Sequence, residues 1–206
     1  MGLLSIALSK GRILKDTLEI FNRLNMDFSD IDKDSRKLFF DYEDYGMRLI
    51  LSKPSDVPTY VEHGVADLGI AGKDVLLEDK KDVFELMDLK ISKCRMIVAV
   101  KESHCESDPI YKVATKYPNV AETFFLKKAH PVEIIKLNGS IELGPLLGLS
   151  DAIVDIVATG KTLKENKLKI YEEICPISAR LIANQVSFRL KSEEIHKLME
   201  KLNKVI

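Results

Sequence analysis

Apolar positions along this chain come in short blocks with two periodicities. Leu3 to Leu8 is a nearly unbroken apolar run, the length and character of a buried strand, and it ends at Ser9-Lys10-Gly11-Arg12. Beyond that break Leu14, Leu18 and Phe21 recur at i, i+4 and i+7, the apolar stripe of an amphipathic helix. Residues 47–51 (MRLIL) predict a second strand. Ser55 and Asp56 are N-cap candidates for a short helix that Gly64 can end. Residues 66–72 (ADLGIAG) read as a strand closing in a glycine turn, with a helix expected from Asp74.

The pattern continues through the centre with strands at Met96 to Val100, Lys112 to Thr115 and Ile134 to Leu137, the last ending at Asn138-Gly139. Ser140 is expected to cap a helix that contains Glu142 and is left irregular by Pro145 and Gly148. Residues 153–157 predict another strand, and Ser192 a cap for a final helix in which Ile195, Leu198, Leu202 and Val205 share a face. Strands alternating with helices predict an α/β architecture built on largely parallel sheets. The charged stretch from Lys101 to Pro109 is the candidate hinge or surface loop between two lobes.

Composition narrows the function classes. The chain has 206 residues, 46% hydrophobic and 31% charged, which is ordinary for a globular protein able to bury a core. A net charge of −1 with no basic tract argues against a broad nucleic-acid face. No apolar run approaches the roughly 20 residues that span a bilayer, and the N-terminus has no basic n-region or cleavage signal. Cys94, Cys105 and Cys175 are odd in number and far apart, and His63, His104, His130 and His196 have no metal-binding spacing. A reduced cytoplasmic protein is the expectation.

Chemistry enters at 151–163, DAIVDIVATGKTL, where Gly-Lys-Thr follows an apolar strand. A nucleotide-binding P-loop needs glycine five residues before the second glycine, and here that position is Asp155. The alternative is a different phosphate site. Backbone N–H groups at a strand-to-helix junction lack partners and the helix dipole favours an anion. Across Ala158, Thr159, Gly160, Lys161 and Thr162, the glycine permits close approach and the two hydroxyls can donate. A simple capped turn explains the motif equally well. Asp155 tilts the balance, because a carboxylate beside a phosphate cradle is repulsive unless it accepts hydrogen bonds from ribose hydroxyls. Asp151 reads as a turn residue. A second anion site is expected at Ser9-Lys10-Gly11-Arg12, also a strand-to-helix junction, with Arg36 as a third candidate cation. Two such sites point to one substrate with two phosphate groups or to two phosphorylated substrates.

Here a resemblance becomes specific. LSKGRIL, DVPTYVEHGVADLGIAGKDVL, ATKYPNV, EIIKLNGSIELGPLLGLSDAIVDIVATGKTL and ISARLIANQVS resemble, in order, the ATP phosphoribosyltransferase family. The length resembles the short form, which lacks a C-terminal histidine-binding domain. Ser9 stands where many relatives carry proline, and DLKISKC at 88–94 lacks the glycines of the long-form DLGFGKC pattern.

That resemblance implies transfer of phosphoribose from phosphoribosyl pyrophosphate to N1 of the adenine of ATP, the first step of histidine biosynthesis, with Mg²⁺ carried mainly on the substrate phosphates. It implies a two-lobed fold like a periplasmic binding protein, with the active site in the inter-lobe cleft. The lobes would be 1–90 plus 177–206, and 91–176. The 5′-phosphate is assigned to Ala158 through Thr162 and the ribose hydroxyls to Asp155. Lys10, Arg12 and Arg36 are assigned to the pyrophosphate and the ATP phosphates. Glu142 is left with three readings: a ribose contact, a contact to a Mg²⁺-bound water, or a helix-dipole partner. A homodimer and a histidyl-tRNA-synthetase-like regulatory subunit are the implied partners, with no nucleic acid and no membrane. Read from the residues alone, a non-catalytic two-lobed sensor of a phosphorylated metabolite and an interaction protein stay open.

Overall fold

The structure, a computed structural model, describes residues 2–31 and 37–206. In chain order the elements are β1 (Leu4–Ser9), α1 (Arg12–Arg23), β2 (Phe39–Tyr42), β3 (Met47–Ser52), α2 (Val57–Glu62), β4 (Leu68–Gly72), α3 (Lys73–Glu78) and β5 (Phe84–Asp88). They continue with β6 (Cys94–Lys101), β7 (Lys112–Thr115), α4 (Pro118–Lys127), β8 (Glu133–Lys136), α5 (Leu143–Leu146), β9 (Ala152–Val157) and α6 (Lys161–Glu165). The chain closes with β10 (Leu168–Ile177), β11 (Ala179–Ala183), α7 (Gln185–Leu190) and α8 (Ser192–Asn203).

The chain divides into two compact units, one of Met1–Leu76, Lys80–Ser92 and Ser178–Ile206, the other of Leu77–Asp79 and Lys93–Ile177. The stretch from Lys101 to Pro109 lies wholly inside the second unit, where it joins β6 to β7 as a mostly exposed turn. It is not a connection between units, which corrects the expectation of a hinge there.

In the first unit six strands pair in the order β2-β3-β1-β4-β11-β5. Alternation along the strands sorts the side chains onto two faces. Leu4, Ile6 and Leu8 of β1 with Leu68 and Ile70 of β4 meet Leu14, Ile20 and Phe21 of α1 and Ile195, Leu198 and Leu202 of α8. On the opposite face Ala7, Ala71 and Ile182 take the smaller α2 through Val57 and Val61. Small residues are required there: a Cβ on Gly69 would lie 2.7 Å from Val61 and 2.8 Å from Val57.

In the second unit five strands pair in the order β10-β6-β9-β7-β8. Met96, Val98 and Val154 face α4, which contributes Val120, Ala121 and Phe125. Ile97, Ala99, Ile153 and Val157 face the other way, toward Leu163 of α6 and Ile141. Both sheets are mixed. Among the described residues four strand pairings are parallel and five antiparallel. The expectation of largely parallel sheets is corrected. β11 returns from late in the chain to lie between β4 and β5, antiparallel to both, and β6 runs antiparallel to β10 and β9.

Two expected caps are also corrected. Ser192 is the first residue of α8, and the capping position belongs to Lys191. Ser140 sits at φ 47°, outside the extended region an N-cap needs. Glu142 therefore falls at the cap position of α5 rather than within a helix, and its carboxylate makes no capping bond.

Candidate active site

The second unit carries the loop at 158–162. β9 is interior to its sheet, flanked by β6 and β7. Where it ends, Ala158, Thr159, Lys161 and Thr162 are exposed, and Gly160 turns the chain at φ 76°, ψ 4° into α6. A Cβ there would find its nearest neighbour, Val157 Cγ2, at 4.0 Å. The glycine is thus required by the left-handed backbone and not by crowding. The Lys161 N–H reaches Thr159 Oγ1 at a long 3.4 Å, and Lys164 N–H closes the first turn on the Gly160 carbonyl at 3.1 Å. α6 has five residues, so it carries little of a full helix dipole. Local N–H groups and hydroxyls are then the loop's main means of holding an anion.

Asp155 lies on β9 opposite Ile97. Strand alternation puts it on the same face as Ile153 and Val157, the side on which Leu163 packs, so carboxylate and loop share one side of the sheet. It is half-buried, and its Oδ1 accepts from the Ile156 N–H at 2.8 Å. Asp151, by contrast, is committed to the backbone: its Oδ2 accepts from Tyr111 N–H and Lys112 N–H, both at 2.8 Å. Glu142 is half-buried just ahead of α5.

The first unit carries the Ser9-Lys10-Gly11-Arg12 junction, where a second anion site is expected. Gly11 at φ 97°, ψ −141° turns the end of β1 into α1, a conformation open essentially only to glycine. Lys10 N–H is tied to the Ser52 carbonyl at 3.0 Å, and Lys10 and Arg12 are both exposed. Arg12 Nη2 donates to the Ser92 carbonyl at 3.0 Å. Ser92 in turn donates its N–H (3.0 Å) and hydroxyl (2.6 Å) to Asp16 Oδ2. Lys90 and Ser92 have φ 54° and 51°, left-handed conformations at the two positions where the long-form pattern has glycine. Asp88 steadies this turn, accepting from Lys90 N–H at 2.8 Å and Ser178 Oγ at 2.7 Å, with Arg180 3.2 Å away. Burial pushes the Asp88 carboxyl up, but these partners outweigh it and leave it below its ordinary value. Arg36 lies outside the described residues. Asp16 and Ser92 were missed in the sequence, although Asp16 follows Arg12 by one helical turn.

Among the described residues no group of three or more His, Cys, Asp or Glu side chains converges as a metal cage. No described helix is long and apolar enough to cross a membrane.

Comparison with known proteins gives the family of the chain. A family model described as HisG: ATP phosphoribosyltransferase matches residues 53–204, which include the loop and Asp155. The chain belongs to the ATP phosphoribosyltransferase family. It is 53% identical over 211 aligned residues to an ATP phosphoribosyltransferase of Caldanaerobacter subterraneus subsp. tengcongensis, covering 100% of this chain and 99% of that one. It is 50% identical to the Bacillus subtilis ATP phosphoribosyltransferase over 99% of this chain and 96% of that protein. The ATP phosphoribosyl transferase (HisG:HisZ) complex from Thermotoga maritima holds a chain of the same fold, with TM-score 0.83, 36% identity and 98% of each chain covered. The periplasmic aliphatic sulphonate binding protein SsuA from Escherichia coli shares the fold alone, with TM-score 0.65 at 10% identity over 100% of this chain and 72% of that one. The chain thus has a periplasmic-binding-protein-like α/β fold with two mixed sheets.

Proposed function

We propose that this chain transfers phosphoribose from phosphoribosyl pyrophosphate to N1 of the adenine of ATP, releasing pyrophosphate, with its site made of the residues described above. Identity near 50% across the full chain to named enzymes supports catalysis over a non-catalytic sensor. The observation that carries the residue assignment is that Asp155 and Leu163, which follows the glycine turn, lie on one side of β9.

In this reading the 5′-phosphate rests on Ala158, Thr159, Gly160, Lys161 and Thr162, which supply N–H and hydroxyl donors. Asp155 accepts from the ribose hydroxyls, and its negative charge favours the oxocarbenium character that C1 acquires as pyrophosphate departs. Lys10, Arg12 and Arg36 take the pyrophosphate and the ATP phosphates and offset the charge growing on the leaving group. Adenine N1 is neutral, has a lone pair and no proton to lose, so positioning and electrostatics replace a general base. Glu142 keeps its ribose or metal-water role as a proposal; at the N-cap of the four-residue α5 it also stays placed as a partner of a short helix dipole. Mg²⁺ belongs to the substrates' phosphates, where it neutralises charge and retains several waters.

We place the enzyme in the cytoplasm as a homodimer that joins a histidyl-tRNA-synthetase-like regulatory subunit. The test is pyrophosphate release by the chain alone and with such a subunit, omitting ATP, phosphoribosyl pyrophosphate or Mg²⁺ in turn. Release that needs all three supports the reading. No release from the complete mixture in either assembly overturns it.

A further inference from the structure

We infer that Asp16 is a positioning residue for Arg12, acting through the main chain of Ser92; the inference rests on the role proposed above for Arg12. An arginine at the exposed first position of a helix has a long side chain and several free rotors, so something must fix where its charge sits. Here Arg12 spends one N–H on the Ser92 carbonyl at 3.0 Å, and that acceptor is neutral. Among the described residues no carboxylate lies within ion-pair distance of Arg12. Among the described residues, then, no carboxylate neutralises its charge, and its other donors can face an anion.

The carbonyl can orient Arg12 only if it is itself fixed, and Asp16 does this. One oxygen, Asp16 Oδ2, accepts both the Ser92 N–H at 3.0 Å and the Ser92 hydroxyl at 2.6 Å. Asp16 follows Arg12 by four residues on α1, the spacing of a direct ion pair, yet its carboxylate is turned to Ser92 instead. The segment it grips needs gripping. Lys90 and Ser92 both hold left-handed backbone conformations without being glycine, at φ 54° and 51°. A carboxylate bond meets each of them: Asp88 takes the Lys90 N–H at 2.8 Å and Asp16 takes the Ser92 N–H. A direct Arg12–Asp16 pair would cancel the charge the substrate phosphates need. Routing the constraint through a peptide carbonyl fixes the guanidinium and leaves its charge intact.

The test is a double-mutant cycle with steady-state kinetics in whichever assembly carries wild-type activity. Asp16→Ala is expected to lower kcat on the order of tenfold with KM for both substrates within about threefold, because the guanidinium is misplaced and not lost. Asp16→Asn, which keeps one accepting oxygen, should fall between wild type and Asp16→Ala. In an Arg12→Ala background Asp16→Ala should cost less than about twofold more, since both act through one group. Ser92→Gly keeps the N–H bond and relieves the left-handed strain, so its loss should be smaller than that of Asp16→Ala with melting temperature unchanged or raised. An Asp16→Ala enzyme within about twofold of wild type, while Arg12→Ala is crippled, overturns this inference alone. An Asp16→Ala loss that persists undiminished without Arg12 also overturns it and leaves a merely structural residue. An unimpaired Arg12→Ala would instead remove the reading of Arg12 on which it rests.

Discussion

Replacing Gly160 by alanine separates a phosphate cradle from an ordinary turn. The residue sits at φ 76°, ψ 4° with its nearest would-be neighbour, Val157 Cγ2, at 4.0 Å, so a Cβ meets no clash inside the folded chain. The stability cost is then the left-handed backbone term alone, about 1–2 kcal/mol. For a chain of this length that is a fall of about 2–8 °C in melting temperature. The effect on ligand binding is predicted to be larger, because a phosphate on these N–H groups must approach the backbone closely, where a methyl group would stand. That crowding is expected to weaken phosphoribosyl pyrophosphate binding about tenfold or more. Thermal shift measures both effects together. At a phosphoribosyl pyrophosphate concentration about 100 times Kd, wild type should gain about 2.7 kcal/mol, and a variant with tenfold weaker binding only about 1.4 kcal/mol. The kinetic counterpart is a raised KM for phosphoribosyl pyrophosphate with KM for ATP nearly unchanged. A Gly160→Ala protein that loses the expected few degrees but keeps the full ligand-induced shift and wild-type KM would refute the assignment of the phosphate to this turn.

Other predictions probe the neighbouring carboxylate and the scaffold. Asp155→Asn keeps the shape but halves the accepting capacity for ribose hydroxyls and removes the charge; kcat/KM for phosphoribosyl pyrophosphate should fall by about 10²-fold, with the circular dichroism spectrum unchanged. Gly69→Ala forces a Cβ to within 2.7 Å of Val61 and 2.8 Å of Val57, and urea unfolding should show a loss of about 1–3 kcal/mol. Asp67 is almost wholly buried and accepts from Ser5 N–H (2.8 Å), Ser5 Oγ (2.8 Å), Ser187 Oγ (2.8 Å) and Lys191 Nζ (2.6 Å), so Asp67→Ala should cost about 2–3 kcal/mol by the same assay. Burial pushes the Asp67 carboxyl up, but Lys191 and the serines outweigh it and hold it below its ordinary 3.8. A depressed carboxyl stabilises the fold fully above its unfolded value and loses that contribution as pH falls through the folded one. Unfolding free energy measured from pH 7 down through pH 3.8 should therefore decline below about pH 4–5. In Asp67→Asn that part of the decline should be absent.

The parts of the fold that were legible in the sequence are those whose side chains all report one environment. β1, β3, β4 and β9 read as strands because both of their faces are covered, so few positions interrupt the apolar run. The glycine turn at 160 was legible because its surroundings leave few alternatives for Gly-Lys-Thr after a buried strand. β10 was not, since half the positions of this ten-residue edge strand are exposed and it shifts register twice, at Ile170/Glu172 and Glu173/Cys175, so no clean alternation survives. β5 and β11 pair with each other from opposite parts of the chain, Ala183 with Phe84 and Arg180 with Asp88, and no local pattern states that partner or its direction. Strand direction was misread for the same reason. Glu142 was placed in a helix because Ser140 looks like a cap, but its φ of 47° makes a bend where an N-cap needs extended backbone. The Asp16–Ser92 bonds link positions 76 residues apart, and the Asp67–Lys191 bond positions 124 apart. Hydrophobic periodicity carries no information about such polar contacts.

The bond that defines the proposed reaction joins phosphoribose to adenine N1. Its most direct measurement is ¹⁵N NMR of the product formed from ATP labelled at N1, with phosphoribosyl pyrophosphate and Mg²⁺, in the active assembly. A shifted N1 resonance correlated with the transferred ribose C1 proton is expected, appearing in step with one pyrophosphate per ATP consumed. Pyrophosphate released while the N1 resonance stays where it is in ATP would contradict it.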